Sequence, residues 1–301
     1  IISRLFIGIN NMSSSNNIFT VIVRYLFLFR IHNIFFIVVA QFFSALFVFS
    51  TLSFFEILND RNIFLLIFSS VFIIMAGYII NDFFDKKKDF INYPLRLLIE
   101  NKISSTTKLY LYVLFNSTGL ILSSLVSFRA FLFFAFYLAL IALYSIRLSK
   151  ILLVRNLISV FLYVIPIFAI ALYYKNFNYS IFLNAFLLTI ILLVKSLIKD
   201  LINTLGDISV NVDSIPVIYG ETKTKIVITF LTIVIILTDI ILINEIESYY
   251  RILYLQFLIP FFIILIVTLW FFKNKLAFFV LNNLIKFIIV LGILFLIFIE
   301  K

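Results

Sequence analysis

The sequence predicts an all-α integral membrane protein, a single bundle of about nine transmembrane helices. Three observations lead there. Hydrophobic residues make up 64% of the 301 positions and charged residues only 13%, and the mean hydropathy is +1.21, far from the balance of a soluble domain. The apolar residues fall in runs of about 20, the length that crosses a bilayer as a helix. Lys and Arg gather in alternate connections between those runs.

In chain order the runs lie at about 34–55, 62–80, 108–127, 130–146, 153–174, 180–198, 225–244, 252–272 and 276–299. The first follows Arg30 and His32; it carries no small-residue cleavage pattern and is too long for a signal-peptide core, so it is read as retained. The second opens after Arg61 and stops at Asn81-Asp82. Arg129 divides the third from the fourth, which ends at Arg147. The fifth ends at Lys175 and the sixth at Lys199-Asp200. Lys225 opens the seventh, Arg251 precedes the eighth, and Lys273 and Lys275 lead into the ninth. Residues 1–33 are left as an N-terminal cytoplasmic segment and 34–301 as the transmembrane domain, with no length over for a soluble one. The chain opens on Ile1 with Met12 as its first methionine, so a start at Met12 or an unusual initiation codon is expected.

Charge orients the bundle. Arg4, Arg24, Arg30, Lys86, Lys87, Lys88, Arg96, Lys102, Lys108, Arg147, Lys150, Arg155, Lys195, Lys199, Lys223, Lys225, Lys273 and Lys275 fall on one side, eighteen in all; Arg61, Arg129, Lys175, Arg251 and Lys301 fall on the other. The positive-inside rule then makes the N-terminus and the first side cytoplasmic and the C-terminus external. A multi-pass protein of a bacterial-type inner (plasma) membrane is expected. Most of the basic residues serve as topology determinants on this reading, and no nucleic-acid partner is expected.

Cys is absent and His32 is the single histidine. Thiolate chemistry, disulfides and Cys- or His-built metal sites are thereby excluded, and any metal must be held by oxygen, which favours a hard cation such as Mg²⁺.

One spacing occurs twice. Asn81-Asp82-Phe83-Phe84-Asp85-Lys86-Lys87-Lys88-Asp89 and Lys199-Asp200-Leu201-Ile202-Asn203-Thr204-Leu205-Gly206-Asp207 both carry short oxygen side chains at offsets zero, three and seven. On a helix turning about 100° per residue these share one stripe. A carboxylate at membrane depth costs roughly 2.5 to 3.5 kcal/mol on insertion scales and marks function by default. Both stripes end cytoplasmic runs, so they can face each other across the bundle. The connections after them, 81–107 and 199–224, are the longest and are expected to form partial lids.

Facing oxygen stripes suit Mg²⁺ ions bridging to a diphosphate. Lys199, Arg96, Lys150 and Arg147 share that face and can contact the remaining phosphate oxygens, Arg in bidentate fashion and Lys as a point charge. An apolar bundle has no use for aqueous phosphate transfer but accommodates an isoprenoid tail. Aromatic faces would stabilise the allylic cation formed when diphosphate leaves, by roughly 0.5 to 2 kcal/mol each, and water exclusion would protect it. The pattern therefore implies transfer of a prenyl group from a prenyl diphosphate to a lipid-phase acceptor. Tyr144 is a further candidate for contact with the substrate, and plainer roles stand beside these: Lys86 to Lys88 as topology residues, Tyr144 as an interfacial aromatic.

The two motifs resemble those of the UbiA superfamily of intramembrane prenyltransferases. The signature N-D-x-x-D-x-x-x-D is matched by Asn81, Asp82, Asp85 and Asp89; K-D-x-x-D-x-x-G-D is matched by Lys199, Asp200, Gly206 and Asp207, with Asn203 in an acidic place. Arg30 to Asn33, Asn92 to Arg96, Tyr144-Ser145 and Ile215 to Gly220 extend the likeness over most of the chain. The resemblance implies nine helices around a central cavity and Mg²⁺ bridging both motifs to the diphosphate. It makes Asp82, Asp85, Asp200 and Asp207 the catalytic metal ligands, with Asp89 and Asn203 beside them, and has Asn81, Lys199 and Arg96 orient the diphosphate. Asn203 supplies no charge, and Lys195-Ser196 stand where relatives often show Arg and Glu. The continuation Asp89 to Arg96, then Ile103-Ser104, is most similar to the geranylgeranylglyceryl-phosphate geranylgeranyltransferase group, which implies a glycerophosphate-lipid hydroxyl as acceptor; an aromatic quinone precursor is the alternative. A polytopic carrier, or a degenerate member of the family, is the rival of another class.

Overall fold

The computed structural model describes residues 18–177, 179–245, 249–272 and 274–298. Arg4, Met12, Lys273 and Lys301, and with them the start at Met12, lie outside the described residues. The described chain is helical throughout: α1 Ile18–Leu28, α2 Ile31–Phe43, α3 Phe54–Asn59, α4 Arg61–Asn92, α5 Pro94–Glu100, α6 Ser105–Val126, α7 Phe128–Ile146, α8 Val154–Tyr174, α9 Tyr179–Ser209, α10 Ile215–Glu245, α11 Tyr249–Phe271 and α12 Lys275–Phe295. Among the described residues nine segments are long and apolar enough to span a membrane, and each coincides with one of the nine expected runs. The protein is a multi-pass integral membrane bundle.

Local chemistry sets the helix ends. Ser53 accepts from the Glu56 amide while the Glu56 carboxylate accepts from the Ser53 amide, a capping box that starts α3. Asp60 caps α4 by accepting from the Asn62 amide at 3.0 Å. Pro94 takes the first turn of α5, where a missing N–H costs nothing. Gly220 adopts φ +82° and breaks α10 near its start, a conformation that glycine reaches without strain.

The expected lids are not loops. α4 runs on through the first motif to Asn92, and α9 through the second to Ser209. Residues 81–92 contain neither Gly nor Pro, and α4 stops only where Pro94 disfavours the helical conformation of the residue before it. α9 ends just before Asn211, which turns left-handed at φ 53°. Residues 18–33, expected as part of an N-terminal segment, contain α1, whose end supplies Leu28 and Phe29 to the core.

Two apolar clusters form that core. One joins Leu28, Ile34, Phe49, Ile63, Ile73, Ile79, Phe134, Tyr137 and Ile170, from α1, α2, α4, α7 and α8. The other joins Ile190, Val194, Ile198, Leu201, Ile228, Leu258, Phe262, Leu281 and Ile285, from α9 to α12. The first motif ends a helix of the first half and the second motif a helix of the second, so both meet at the seam.

Buried polar contacts pin the first half. Pro166 lies inside α8 and cannot satisfy the Leu162 carbonyl one turn back. The Tyr137 hydroxyl donates to that oxygen at 3.1 Å. Gln41 Nε2 donates to the Pro166 carbonyl at 2.9 Å, and Ser70 Oγ donates to Gln41 Oε1 at 2.8 Å, which ties α2, α4 and α8 together where lipid offers no alternative partner. Tyr137→Phe should therefore lower stability by about 0.5–1.5 kcal/mol, read as a lower thermal unfolding midpoint in detergent micelles.

Candidate active site

At the seam lies a cavity of about 1000 Å³, at the upper end of the range for small-molecule sites. Asn81, Asp85, Lys88 and Asp89 of α4 line it, as do Asp200 and Asn203 of α9, Lys195 and Lys199 of the same helix, Arg155 of α8, and Arg96 of α5. Tyr144, Ser145 and Lys150 add to the wall. Away from the motifs Ile74, Tyr78, Tyr137, Ile141, Leu192 and Phe279 give the lining an apolar and aromatic part, into which Arg30, His32, Asn282 and Lys286 also reach.

Cations hold the two helical stripes together. Lys88 Nζ of α4 lies 2.5 Å from Asp207 Oδ1 of α9. Arg155 forks between both acids of the second stripe, Nη2 to Asp200 Oδ1 at 2.9 Å and Nη1 to Asp207 Oδ2 at 3.0 Å. Asn156 Nδ2 donates to the other Asp200 oxygen at 2.8 Å. On α5, Arg96 pairs with Asp89 and, at 3.1 Å, with Glu100; burial pushes the Glu100 carboxyl up against the pull of that guanidinium. Asp82 turns to Lys108 of α6 at 2.6 Å and does not line the cavity. Asp207 also sits behind the lining, and Arg147 is exposed outside it.

Asn203 is held from the first half. The Tyr93 hydroxyl donates to Asn203 Oδ1 at 2.8 Å, and Asn92 Nδ2 reaches the Asn203 carbonyl at 3.4 Å. Burial pushes the Tyr93 phenol up, which keeps it the protonated donor. Asn81 Oδ1 accepts from Ser145 Oγ at 2.6 Å. Asp85 lines the cavity with no hydrogen bond or ion pair to it among the described residues.

Among the described residues no three His, Cys, Asp or Glu side chains converge as a ready-made metal cage. The donors fit a magnesium ion nevertheless: they are all oxygen, and Mg²⁺ is commonly bound by one or two carboxylates plus substrate phosphates. Asp85 offers a carboxylate free of ion pairs, and Asp89, Asp200 and Asn203 stand on the same wall.

Sequence reasoning missed several of these groups. Lys88 passed as a topology charge, although it lies three residues after Asp85 and hence on the stripe's own face. Arg155, Asn156 and Lys108 carry no local signal, and tertiary packing alone brings them in; Tyr93 and Lys195 stand out only through the resemblance, with no role attached.

A membrane bundle with a cavity at the seam of its two halves, rich in oxygen donors and cations, defines the class as an intramembrane protein with a polar site inside an apolar bundle. A model of the UbiA prenyltransferase family matches residues 35–283. The chain belongs to that family. It is 31% identical over 170 residues to a digeranylgeranylglyceryl phosphate synthase of Thermococcus sibiricus, an alignment covering 55% of this chain and 60% of that one. It is 30% identical over 183 residues to the synthase of that name from Methanobrevibacter smithii, covering 58% and 64%. The chain thus spans less than two thirds of the length of these curated relatives. Among solved structures, one described as digeranylgeranylglyceryl phosphate synthase in membranes superposes with a TM-score of 0.67 at 22% identity, over 92% of this chain and 98% of that one. A UbiA homologue from Archaeoglobus fulgidus bound to GPP and Mg²⁺ gives 0.64 at 14% identity, over 90% and 99%. These two likenesses establish the fold.

Gly206 packs close against the end of α4, since a Cβ there would lie 2.2 Å from Asn92 Nδ2. Gly206→Ala is expected to cost about 1–3 kcal/mol, and adding Asn92→Ala should recover most of it. Thermal unfolding of both variants decides, and an unchanged midpoint in Gly206→Ala would mean that Asn92 swings clear.

Proposed function

We propose that this protein transfers a prenyl group from a prenyl diphosphate to the hydroxyl of a glycerophosphate lipid, with Mg²⁺ as cofactor. The single observation that carries this reading is the polarity of one cavity, which joins motif oxygens and cations from both halves to an apolar, aromatic interior. Such a space takes a diphosphate at one end and an isoprenoid tail at the other. The names of the relatives support the glycerophosphate acceptor, and the ligands of the Archaeoglobus homologue support the donor and the metal.

Asp85, Asp89, Asp200 and Asn203 hold the metal ions in this reading. Bound Mg²⁺ would neutralise the diphosphate and act as a Lewis acid on it as it leaves. Lys199, exposed to the cavity, takes phosphate oxygens together with Arg96, Asn81 and, at the rim, Lys150. Lys88 and Arg155 turn from their acids to the same oxygens, which frees Asp200 and Asp207 for ligation; Asp82 joins when released from Lys108. The carbon–oxygen bond to diphosphate breaks, and the acceptor oxygen bonds to the prenyl carbon and gives up its proton. Tyr78, Tyr137 and Tyr144 present aromatic faces to the cationic carbon, and the closed apolar wall keeps water from it. We place the polar end on the cytoplasmic side, where the loop charges are.

The test is turnover by the purified protein with geranylgeranyl diphosphate, Mg²⁺ and a panel of lipid and aromatic acceptors. We expect a prenylated glycerophosphate lipid, abolished by EDTA and restored by excess Mg²⁺. No product with any acceptor, together with no Mg²⁺-dependent binding of the diphosphate, would sink the enzyme reading. Asp85→Asn and Asp200→Asn should each lower kcat by roughly 100-fold or more. Asn203→Asp restores the missing charge and should lower the Mg²⁺ concentration at half-maximal rate several-fold; an unaltered Mg²⁺ dependence would take Asn203 out of the ligand set.

A further inference from the structure

The diphosphate site leaves part of the cavity's charge unexplained. Arg30, Lys195 and Lys286 line the cavity as well, and none of them forms a salt bridge among the described residues. Arg30 stacks on Tyr78 at 5.0 Å, and Lys195 Nζ stands 4.9 Å from the Tyr163 ring centroid. Tyr163 feels Lys195, Lys199, Arg30 and Lys286 at once, and Lys286 and Arg30 both act on His32, so the group is one cluster drawn from α2, α9, α12 and the turn before α2. Asp89 and Glu100 act on Arg30, but both are bound by Arg96.

This cluster adjoins the second motif at Lys199 and extends from it into the span. Lys195 precedes Asp200 by five residues, about 7.5 Å along α9, and Lys286 lies in the middle of the span Lys275–Phe295. A lysine at that depth costs several kcal/mol unless it faces a polar cavity or an anion. One turn before it, on the same face of α12, Asn282 lines the cavity at 7% exposure, and its Oδ1 has no hydrogen-bond partner. Three cations that line the cavity with no carboxylate partner among the described residues, Lys286 donating only to Asn283 Oδ1 at 3.3 Å, and an orphaned buried amide oxygen together describe a site for an anion that also carries a hydroxyl.

We propose that Lys195, Lys286 and Arg30, with His32 and Asn282, form a second anion site in the same cavity, which holds the phosphomonoester headgroup of the acceptor lipid apart from the donor's diphosphate. The proposal rests on the prenyl-transfer reading above and names the residues that recognise its acceptor. Lys195 and Lys286 contact the phosphate oxygens as point charges, Arg30 adds a planar fork, and Asn282 Oδ1 accepts from the headgroup's hydroxyl. Two separate cationic sites let one cavity hold two anions that would otherwise repel each other.

The experiment compares two acceptors, a prenylglycerol phosphate and its dephosphorylated prenylglycerol, with geranylgeranyl diphosphate and Mg²⁺ and the full-length protein in zwitterionic nanodiscs. The wild type should favour the phosphorylated acceptor in kcat/KM by roughly tenfold or more. Lys286→Gln and Lys195→Gln should collapse that ratio through KM for the phosphorylated acceptor, and Lys286→Arg should restore it. Each variant is checked first for Mg²⁺-dependent retention of geranylgeranyl diphosphate; should a lysine variant fail to fold, His32→Gln replaces it in the comparison. An intact ratio in the variants, or an equal loss with both acceptors, overturns the proposal. If the wild type prenylates neither acceptor, the transfer reading is what fails, and retention of the prenylglycerol phosphate by wild type against Lys286→Gln still decides on the site: retention lost in the variant supports it, and no retention by either, or equal retention by both, overturns it.

Discussion

The constraint on which the rest of this structure depends is that five carboxylates are buried at one end of an apolar bundle. Asp82, Asp89, Asp200, Asp207 and Glu100 are each at most 8% exposed, and an uncompensated buried charge costs several kcal/mol. Every one of them has a cation: Lys108, Arg96, Arg155 and Lys88 answer them between them. Lys88 and Arg155 belong to helices of the first half and reach acids of the second. The seam between two separate apolar cores is therefore closed by charge at the end where the cavity opens, and by no comparable apolar cluster.

Length explains why the acids can sit there. α4 has 32 residues, about 48 Å at 1.5 Å per residue, whereas the hydrocarbon core is about 30 Å thick. α9, with 31 residues, is as long. Both motifs ride on the surplus, two or three turns that carry the stripe toward the headgroup region while the preceding turns stay apolar. A rigid helix holds a donor set more exactly than a loop. The same geometry separates a polar end from an apolar body, which is what an amphiphilic substrate requires of its container.

The fold was legible because its two signals are local. Runs of apolar residues mark spans without reference to anything distant, and the offset of three and seven marks one face of a helix whatever it faces. The turn from helix to loop was less legible: residues 81–92 and 199–209 are polar enough to be read as connections, yet their side chains are satisfied by cations from α5, α6 and α8, and nothing in the local sequence announces those partners. Arg155 shows the limit most clearly. It lies 45 residues before Asp200 in the chain and 2.9 Å from it in space, and as a sequence feature it is one more positive charge near a membrane face. Lys88 is the exception, since its spacing from Asp85 already put it on the stripe.

Asn203 ties these strands together. The second stripe holds two carboxylates where the first holds three, and it is the stripe that Arg155 and Lys88 neutralise, so its net charge is the more positive of the two. Asp85 has no ion pair among the described residues, whereas Asp200 and Asp207 have theirs, so on the proposed reading a metal ion would meet less competition at Asp85. The guanidinium and ammonium that would leave those acids can be met by an anion in the cavity, and Lys88 also by Asp85 one turn before it. On the proposed reading, binding of an anionic substrate and metal ligation by the second stripe would be linked through the same two cations, because each lowers the cost of the other.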